Sequence, residues 1–404
     1  MLALRLARGT RPLVLLRRLM VAAASAGVGF LLLSALGHAV GHPEEAAGSA
    51  ARLLWCVVPL AAVVQLAVAV ARTDPGARPQ PGLSSAGFGP VGLAMLGAVS
   101  TAVSCTLGSV FALLVFLYLR GDLAVLPLGG ARADALGGGE PMPFAAVVTL
   151  LFVVPVLAGT AAAITLRPRK PRPGGAPDPQ QPVAAGEATG ARARATISTG
   201  LPWGVALTAA GIALGAYAGG ATPPSSHSLL PLPGRLDTIP PGVVGGWVLI
   251  ATGLVLACPG ITHLCGRLLS AGRPGSVRLL SGRVLQEEAP RLGRPLGVLC
   301  AVAAGAFAAT QLYGTALDST GDRPFGPLTG IAAALVMACA TATVLTAALE
   351  TKGARADITA ALLRIGASAG LLRRAAALRA TVMVAVLAPI TWAVAELAAL
   401  PLSH

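Results

Sequence analysis

Charged side chains are scarce in this sequence of 404 residues. Only 11% of the residues are charged, 55% are hydrophobic, and the mean hydropathy is +0.76. Soluble domains carry charge on about a quarter of their residues, so this composition excludes an ordinary soluble protein. It predicts an all-α polytopic membrane protein, because a spanning helix satisfies its own backbone hydrogen bonds within the bilayer.

Lysine is rarer still, and its scarcity bears on nucleotide binding. The chain has only Lys170 and Lys352, and neither lies in the glycine-rich GxxxxGK[ST] pattern of a P-loop. There is no HExxH motif of a hydrolase, and the single GxSxG match, GASAG at residues 366–370, follows a predicted helix and not the strand that a nucleophile elbow requires. We therefore expect a chain that is not an enzyme, that holds no cofactor, and that depends on a separate polypeptide for any ATP hydrolysis.

The 6 cysteines predict neither a disulfide framework nor a metal site. They all lie in apolar runs, where cysteine usually serves as a small apolar filler. Cys258 and Cys265 share a helical face, but His263 between them falls on another part of the helix. We predict a packing role for these three residues.

Nine long apolar runs dominate the sequence instead. They cover residues 19–40, 53–71, 91–119, 143–166, 201–219, 243–266, 295–314, 327–349 and 380–400. We interpret residues 1–166 as an amphipathic N-terminal helix with four spans, and residues 201–266 as two linking spans. Residues 267–404 supply three more spans. The segment that joins the first four spans to the linking spans, residues 167–200, is rich in Pro, Gly and charge, which predicts a disordered linker.

Positive charge falls unevenly on the two sides of these runs. Of the 30 Lys and Arg residues, those assigned to the outer side are Arg52, Arg120, Arg132, Arg235 and Arg323. Because cytoplasmic loops carry the excess of Lys and Arg, the sequence predicts a cytoplasmic N-terminus and an outer C-terminus. The net charge of +14 then reflects basic loops rather than a nucleic-acid partner. Abundant Ala, Gly, Arg and Pro are typical of a GC-rich bacterial genome, so we expect a bacterial cell membrane.

Residues 355–379, between the last two runs, combine high charge with helical periodicity. They contain five arginines and a single acid, Asp357. Ile358, Leu362 and Ile365 recur at the spacing of one helical face. Asp357 is placed to cap this helix. The pattern predicts a short amphipathic helix at the membrane surface.

A break in this helix is predicted at three small residues, Gly366, Ala367 and Ser368. Glycine favours helix termination, and Ser368 is placed to cap a second helix that leads into the last apolar run. The predicted result is an elbow followed by a basic helix start.

Glycines recur at every fourth position of the fifth run, as Gly211, Gly215 and Gly219. Such a face allows two helices to approach closely. We predict that it packs against another helix of the same chain, with a homodimer interface as the alternative.

The two ends of the sequence show a faint repeat. Residues 276–307 are similar to residues 2–30, and residues 362–389 are similar to residues 82–109. In the first copy, the segment equivalent to the elbow has no arginine. Its residues are Leu83, Ala86, Gly87, Phe88 and Gly89.

The sequence LRIGAS at residues 363–368, followed by Leu371-Leu372-Arg373-Arg374, resembles the cytoplasmic signature of FtsX-like permeases. These are the MacB/LolC-type membrane subunits of ABC transporters. The order of four spans, two linking spans and a second set is similar to duplicated members of that family. The chain resembles a reduced form, with three spans in the second repeat and no large extracellular domain.

The resemblance implies that residues 355–379 act as a coupling helix that docks on a separate ABC ATPase. The residues it assigns to coupling are Arg364, Ile365, Gly366, Ala367, Ser368, Leu371, Leu372, Arg373 and Arg374, and it makes residues 83–89 a weaker second elbow. The expected function is a permease that moves or exports an amphiphilic peptide or lipid through the bilayer. The alternatives are a non-transporting partner or sensor derived from such a permease, and a secondary carrier. A carrier is disfavoured because no carboxylate lies near the middle of a predicted span.

Overall fold

The computed structural model describes residues 12–73, 90–121, 142–167, 182–220, 241–273, 275–320, 327–366 and 368–399. Within these ranges the regular elements are helical, and none is a strand. The chain forms α1 (Pro12–Gly41), α2 (Ala46–Trp55), α3 (Val57–Thr73), α4 (Pro90–Arg120), α5 (Phe144–Leu166), α6 (Pro182–Gly220), α7 (Pro241–Ser270), α8 (Ser276–Thr320), α9 (Pro327–Ala354), α10 (Ala356–Arg364) and α11 (Ala369–Ala399).

Nine segments of the described chain are long and apolar enough to cross a membrane. One spans α2 and α3 together, and the others lie in α1, in α4 to α9 and in α11. They match the nine apolar runs of the sequence, so the prediction of an all-α, multi-pass membrane protein is confirmed for the described residues. The helix α10 is too short to cross a bilayer, which requires about 20 residues.

Two helices, α6 and α8, begin 19 residues before the apolar runs that they contain. The helix α6 begins at Pro182, within the stretch that composition assigns to a disordered linker. Residues 182–200 include six Ala residues, two Arg residues and one Glu residue, which favour helix. The helix α8 begins at Ser276 and continues through Pro290 and Pro295 to the end of its span. Residues 168–181, and residues 1–11 of the predicted amphipathic helix, lie outside the described residues.

The chain divides into two compact units, and the division falls within α9, between Thr346 and Ala347. Unit 1 contains α1 to α5 and the first part of α9. The hydroxyl of Ser25 in α1 donates a hydrogen bond to the carbonyl of Cys105 in α4, at 3.1 Å. Further along both helices, a Cβ on Gly29 would lie 2.9 Å from the Cβ of Ala112. The helices α1 and α4 therefore run parallel.

Unit 2 contains α6, α7, α8, the end of α9, α10 and α11. Its long helices α6, α7 and α8 lie side by side in alternating directions. Residues near the end of one helix contact residues near the start of the next. The helix α11 then packs parallel to α8, as buried Ser281 donates its hydroxyl to the carbonyl of Ala375 at 3.1 Å. Further along, Ala304 of α8 and Val394 of α11 share a buried cluster.

Candidate functional site

The candidate site is the elbow between α9 and α11, which belongs to unit 2. The helix α10 stops at Gly366, whose φ of 99° lies in the left-handed region that glycine adopts without steric cost. The N–H of Ile365 donates to the carbonyl of Ala361 at 3.1 Å, and that of Gly366 donates to Leu363 at 3.2 Å. These two bonds satisfy carbonyls of the last turn of α10, and the positive φ of Gly366 ends the helix.

The second helix of the elbow is capped by Ser368, as the sequence predicts. The backbone N–H of Leu371 donates to the Ser368 hydroxyl oxygen at 3.3 Å. The expected cap at the start of α10 is wrong. Arg355 holds the cap position and makes no side-chain cap hydrogen bond, so Asp357 lies inside the first turn.

Two arginines of the stretch 355–379 are engaged within the protein. The Arg355 guanidinium lies 3.2 Å from one Glu288 oxygen, and Arg379 lies 3.2 Å from the other. Arg355 also contacts Glu287 at 3.3 Å and donates to the carbonyl of Val284 at 3.2 Å. The Glu288 side chain is only 12% exposed, whereas that of Glu287 is 74% exposed. The result is a nearly buried carboxylate held between two guanidinium groups, which we call the Glu288 cluster.

The other three arginines, Arg364, Arg373 and Arg374, point to the outside. All three are exposed, and they form no ion pair with any residue in the described ranges. Large apolar side chains are exposed beside them: Ile365 is 84% exposed, and Ile358 and Leu363 are also exposed. We call these six residues the elbow surface. It combines uncovered apolar area with unneutralised positive charge.

The remaining residues assigned to coupling are less uniform. Leu371 and Leu372 are half-buried at the start of α11, so they join the elbow surface to the helix behind it. Ala367 lies outside the described residues. So does the weaker elbow of residues 83–89.

The glycine face of α6 lies against α7. A Cβ on Gly211 would lie 2.6 Å from the carbonyl oxygen of Gly246 and 2.9 Å from Ile250 Cγ1. A Cβ on Gly246 would in turn lie 3.1 Å from the backbone nitrogen of Gly215. The backbones are therefore in direct contact, with no room for a side chain. Gly219 belongs to α6, but its contacts lie outside the part of the chain that the structure describes.

The cysteines of the sixth run lie in two buried clusters of unit 2. Cys258 packs with Cys300 and Leu387, and Cys265 packs with Leu269 and Leu285. Among the described residues, no group of three or more His, Cys, Asp or Glu side chains is placed to hold a metal ion.

Sequence reasoning missed Glu288, the residue that separates the arginines into two groups. Glu287 and Glu288 are the only acids between Arg267 and Arg294, which was the available signal. A pair of acids in a basic stretch indicates a specific partner. The partners of Glu288, Arg355 and Arg379, are 67 and 91 residues away, however, and only the packing of the elbow and α11 against α8 brings them together.

Comparisons with protein-family models, with curated proteins and with solved structures found no match.

Proposed function

We propose that the chain is the membrane permease subunit of an ABC-type transporter, built on the plan of a reduced FtsX-like permease. A separate ATPase binds the elbow surface and supplies the energy of ATP hydrolysis. The observation that carries this proposal is the elbow surface itself. Uncovered apolar side chains and three unpaired arginines lie at a rigid turn between two candidate spans.

The elbow is suited to transmit movement because it is short: α10 ends at Arg364 and α11 begins at Ala369. The positive φ of Gly366 ends α10, and the Ser368 hydroxyl caps the start of α11. A displacement of Ile365 therefore moves the start of α11 instead of being absorbed by a flexible loop.

The Glu288 cluster extends this connection to a second helix. Arg355 before the elbow and Arg379 after it both bind Glu288 of α8. Ser281 of α8 adds a hydrogen bond to the backbone of α11. Movement of the elbow would thus shift α8 and α11 as a pair.

The faint sequence repeat gains support from helix direction. The repeat makes α1 and α4 the counterparts of α8 and α11. Each pair packs in parallel within its own unit, as the bonds from Ser25 to Cys105 and from Ser281 to Ala375 show, although these bonds lie at different positions of the repeat. Parallel packing of both pairs is what two copies of one design predict.

The substrate class that fits best is an amphiphile that moves laterally within the bilayer. The spans present many exposed large apolar side chains, among them Phe111, Phe152 and Trp392. We propose a peptide or lipid as substrate, and a bacterial cell membrane with the elbow on its cytoplasmic side.

The experiment is co-purification of the full chain with an ATPase encoded by a neighbouring reading frame. Wild-type chain is expected to retain the ATPase, and Arg364→Glu/Arg373→Glu is expected to lose most of it. Arg72→Glu/Arg167→Glu makes the same change in charge at two exposed arginines of unit 1, outside the elbow, and it should retain the ATPase. Absence of any bound ATPase with the elbow intact would overturn the proposal.

A second measurement separates transport from sensing. If the chain is a permease, an amphiphilic substrate in reconstituted vesicles should stimulate ATP hydrolysis by the bound ATPase. Binding without stimulation by any substrate would favour a non-transporting partner or sensor. Uptake driven by an ion gradient without ATP would instead indicate a secondary carrier.

A further inference from the structure

Two arginines of α8 lie outside the elbow and have no counter-charge. Arg291 and Arg294 are exposed, and neither forms an ion pair with any residue that the structure describes. Being three residues apart, they occupy the same face of the helix. Both lie directly before the apolar run that begins at Pro295, in the helix that contains the candidate span Ser276–Gln311.

Contacts with α7 fix the depth of these arginines in unit 2. Gly293, between them, lies directly against Pro259 of α7. One turn further, a Cβ on Gly297 would lie 2.8 Å from the Cα of Val255. Pro259 and Val255 belong to the middle of the apolar run of α7, which continues to Gly266.

The helices on both sides of α8 are therefore apolar where α8 is basic. On α7, Leu264 is 43% exposed and lies nearer the basic end of the run than Pro259 does. On α11, the apolar run starts at Ala380, directly after Arg379 has paired with Glu288. Arg291 and Arg294 follow Glu288 in the direction of the apolar layer. They consequently lie beside surfaces that acyl chains must cover.

An arginine at this depth requires an anion or a path to water, since an unpaired charge in hydrocarbon is costly. Arg355 and Arg379, which lie at the neighbouring level, have the Glu288 carboxylate as their anion. The two acids that precede them, Glu287 and Glu288, both contact Arg355 and form no ion pair with Arg291 or Arg294.

We propose that Arg291 and Arg294 form a binding site for the phosphate of an anionic phospholipid. The two guanidinium groups donate hydrogen bonds to the phosphate oxygens in the forked geometry that favours arginine at such sites. The acyl chains of the lipid lie along the exposed apolar surface of α7 that includes Leu264. This site does not depend on the proposed transport function.

The test uses the full-length protein in phosphatidylcholine nanodiscs that contain a small fraction of phosphatidylglycerol. Lipid retained by each chain is counted by native mass spectrometry after transfer to detergent. Wild-type protein should retain phosphatidylglycerol in preference to phosphatidylcholine, and Arg291→Gln/Arg294→Gln should retain about tenfold less, since each arginine near the surface contributes separately. An excess of inorganic phosphate should not displace the lipid.

The matched control is Arg273→Gln/Arg278→Gln. It removes two exposed arginines from the same hairpin, beyond the apolar run of α7. This control should retain phosphatidylglycerol as wild-type protein does. Equal retention in both double variants, or equal loss from both, would overturn the proposal.

Wild-type protein provides a readout that does not depend on the folding of any variant. Phosphatidylglycerol added to detergent-solubilised protein should raise the melting temperature in a saturable way, and phosphatidylcholine should not. Arg291→Lys/Arg294→Lys keeps both charges and should show a smaller rise. Absence of a rise in wild-type protein, or an equal rise with inorganic phosphate alone, would contradict a lipid site.

Discussion

The five arginines of residues 355–379 form two groups that are alike in sequence and different in structure. Arg355 and Arg379 hold Glu288 between them and are partly buried. Arg364, Arg373 and Arg374 are exposed and have no acidic partner among the described residues. The difference shows that the charge of a connection between two candidate spans does not measure its binding surface, because part of that charge is neutralised within the fold.

The two groups also differ in what they cost and what they contribute. A nearly buried carboxylate is stable only while its guanidinium partners remain, so the first group is coupled to the stability of unit 2. Exposed charges cost little to maintain and contribute little to stability. Only the second group is therefore available to bind a partner.

The strongest test of the comparison removes Glu288. Glu288→Gln leaves partly buried Arg379 without an anion and Arg355 with only the exposed Glu287, and we expect a loss of about 2 to 3 kcal/mol in the free energy of unfolding. The measurement is a denaturant titration of the purified protein in mild detergent. Glu287→Gln, at an exposed neighbour, should change stability by less than about 1 kcal/mol. Equal effects of the two variants would refute the assigned role of Glu288.

A neutralised cluster should recover part of that loss. In Glu288→Gln/Arg355→Gln/Arg379→Gln no charge remains to be buried, so we expect the triple variant to be about 1 to 2 kcal/mol more stable than Glu288→Gln alone. The same titration measures it. If the loss of stability in the triple variant instead equals the sum of the losses in the three single variants, the residues do not act as one cluster.

The turn that separates the two groups can be tested at Gly366. Alanine at a φ of 99° is strained, so Gly366→Ala should cost about 1 to 2 kcal/mol. Gly370, four residues on in α11, has no positive φ, and a Cβ there meets open space. Gly370→Ala should therefore be neutral or stabilising in the same titration. A neutral Gly366→Ala would mean that the turn does not require glycine.

The smallest effect on stability is expected for the exposed group. Arg364→Gln/Arg373→Gln/Arg374→Gln should change the free energy of unfolding by less than about 0.5 kcal/mol per residue, since surface charges contribute little. Thermal melting in detergent is a sufficient measurement. A loss as large as that of Glu288→Gln would show that these arginines belong to the fold and not to a binding surface.

Local features of the elbow could be predicted from the sequence. Periodicity places the short helix α10 where Ile358 and Ile365 recur, and small residues predict the turn at Gly366 and the cap at Ser368. These features depend on residues within about four positions of one another, so their signals lie in the local sequence. Long apolar runs predict the spans for the same reason.

The division of the arginines could not be predicted, because it depends on a contact between distant helices. Arg379 and Glu288 are 91 residues apart, and nothing in the local sequence shows that Arg355 and Arg379 are paired while Arg364 is not. The start of α8 at Ser276, well before its apolar run, could not be predicted either. Pro290 and Pro295 predict a break, yet the helix continues while it packs on α7 through Gly282, Gly293 and Gly297.

The central claim is that the exposed arginines bind a partner while the paired ones hold the fold. It is tested most directly by the amount of neighbouring ATPase captured per folded chain, measured in parallel for two variants in nanodiscs. Arg364→Gln/Arg373→Gln/Arg374→Gln should remain folded and capture about tenfold less ATPase than wild-type protein. The folded fraction of Glu288→Gln should capture nearly as much as wild-type protein despite its lower stability. Undiminished capture by the folded triple variant would contradict the claim.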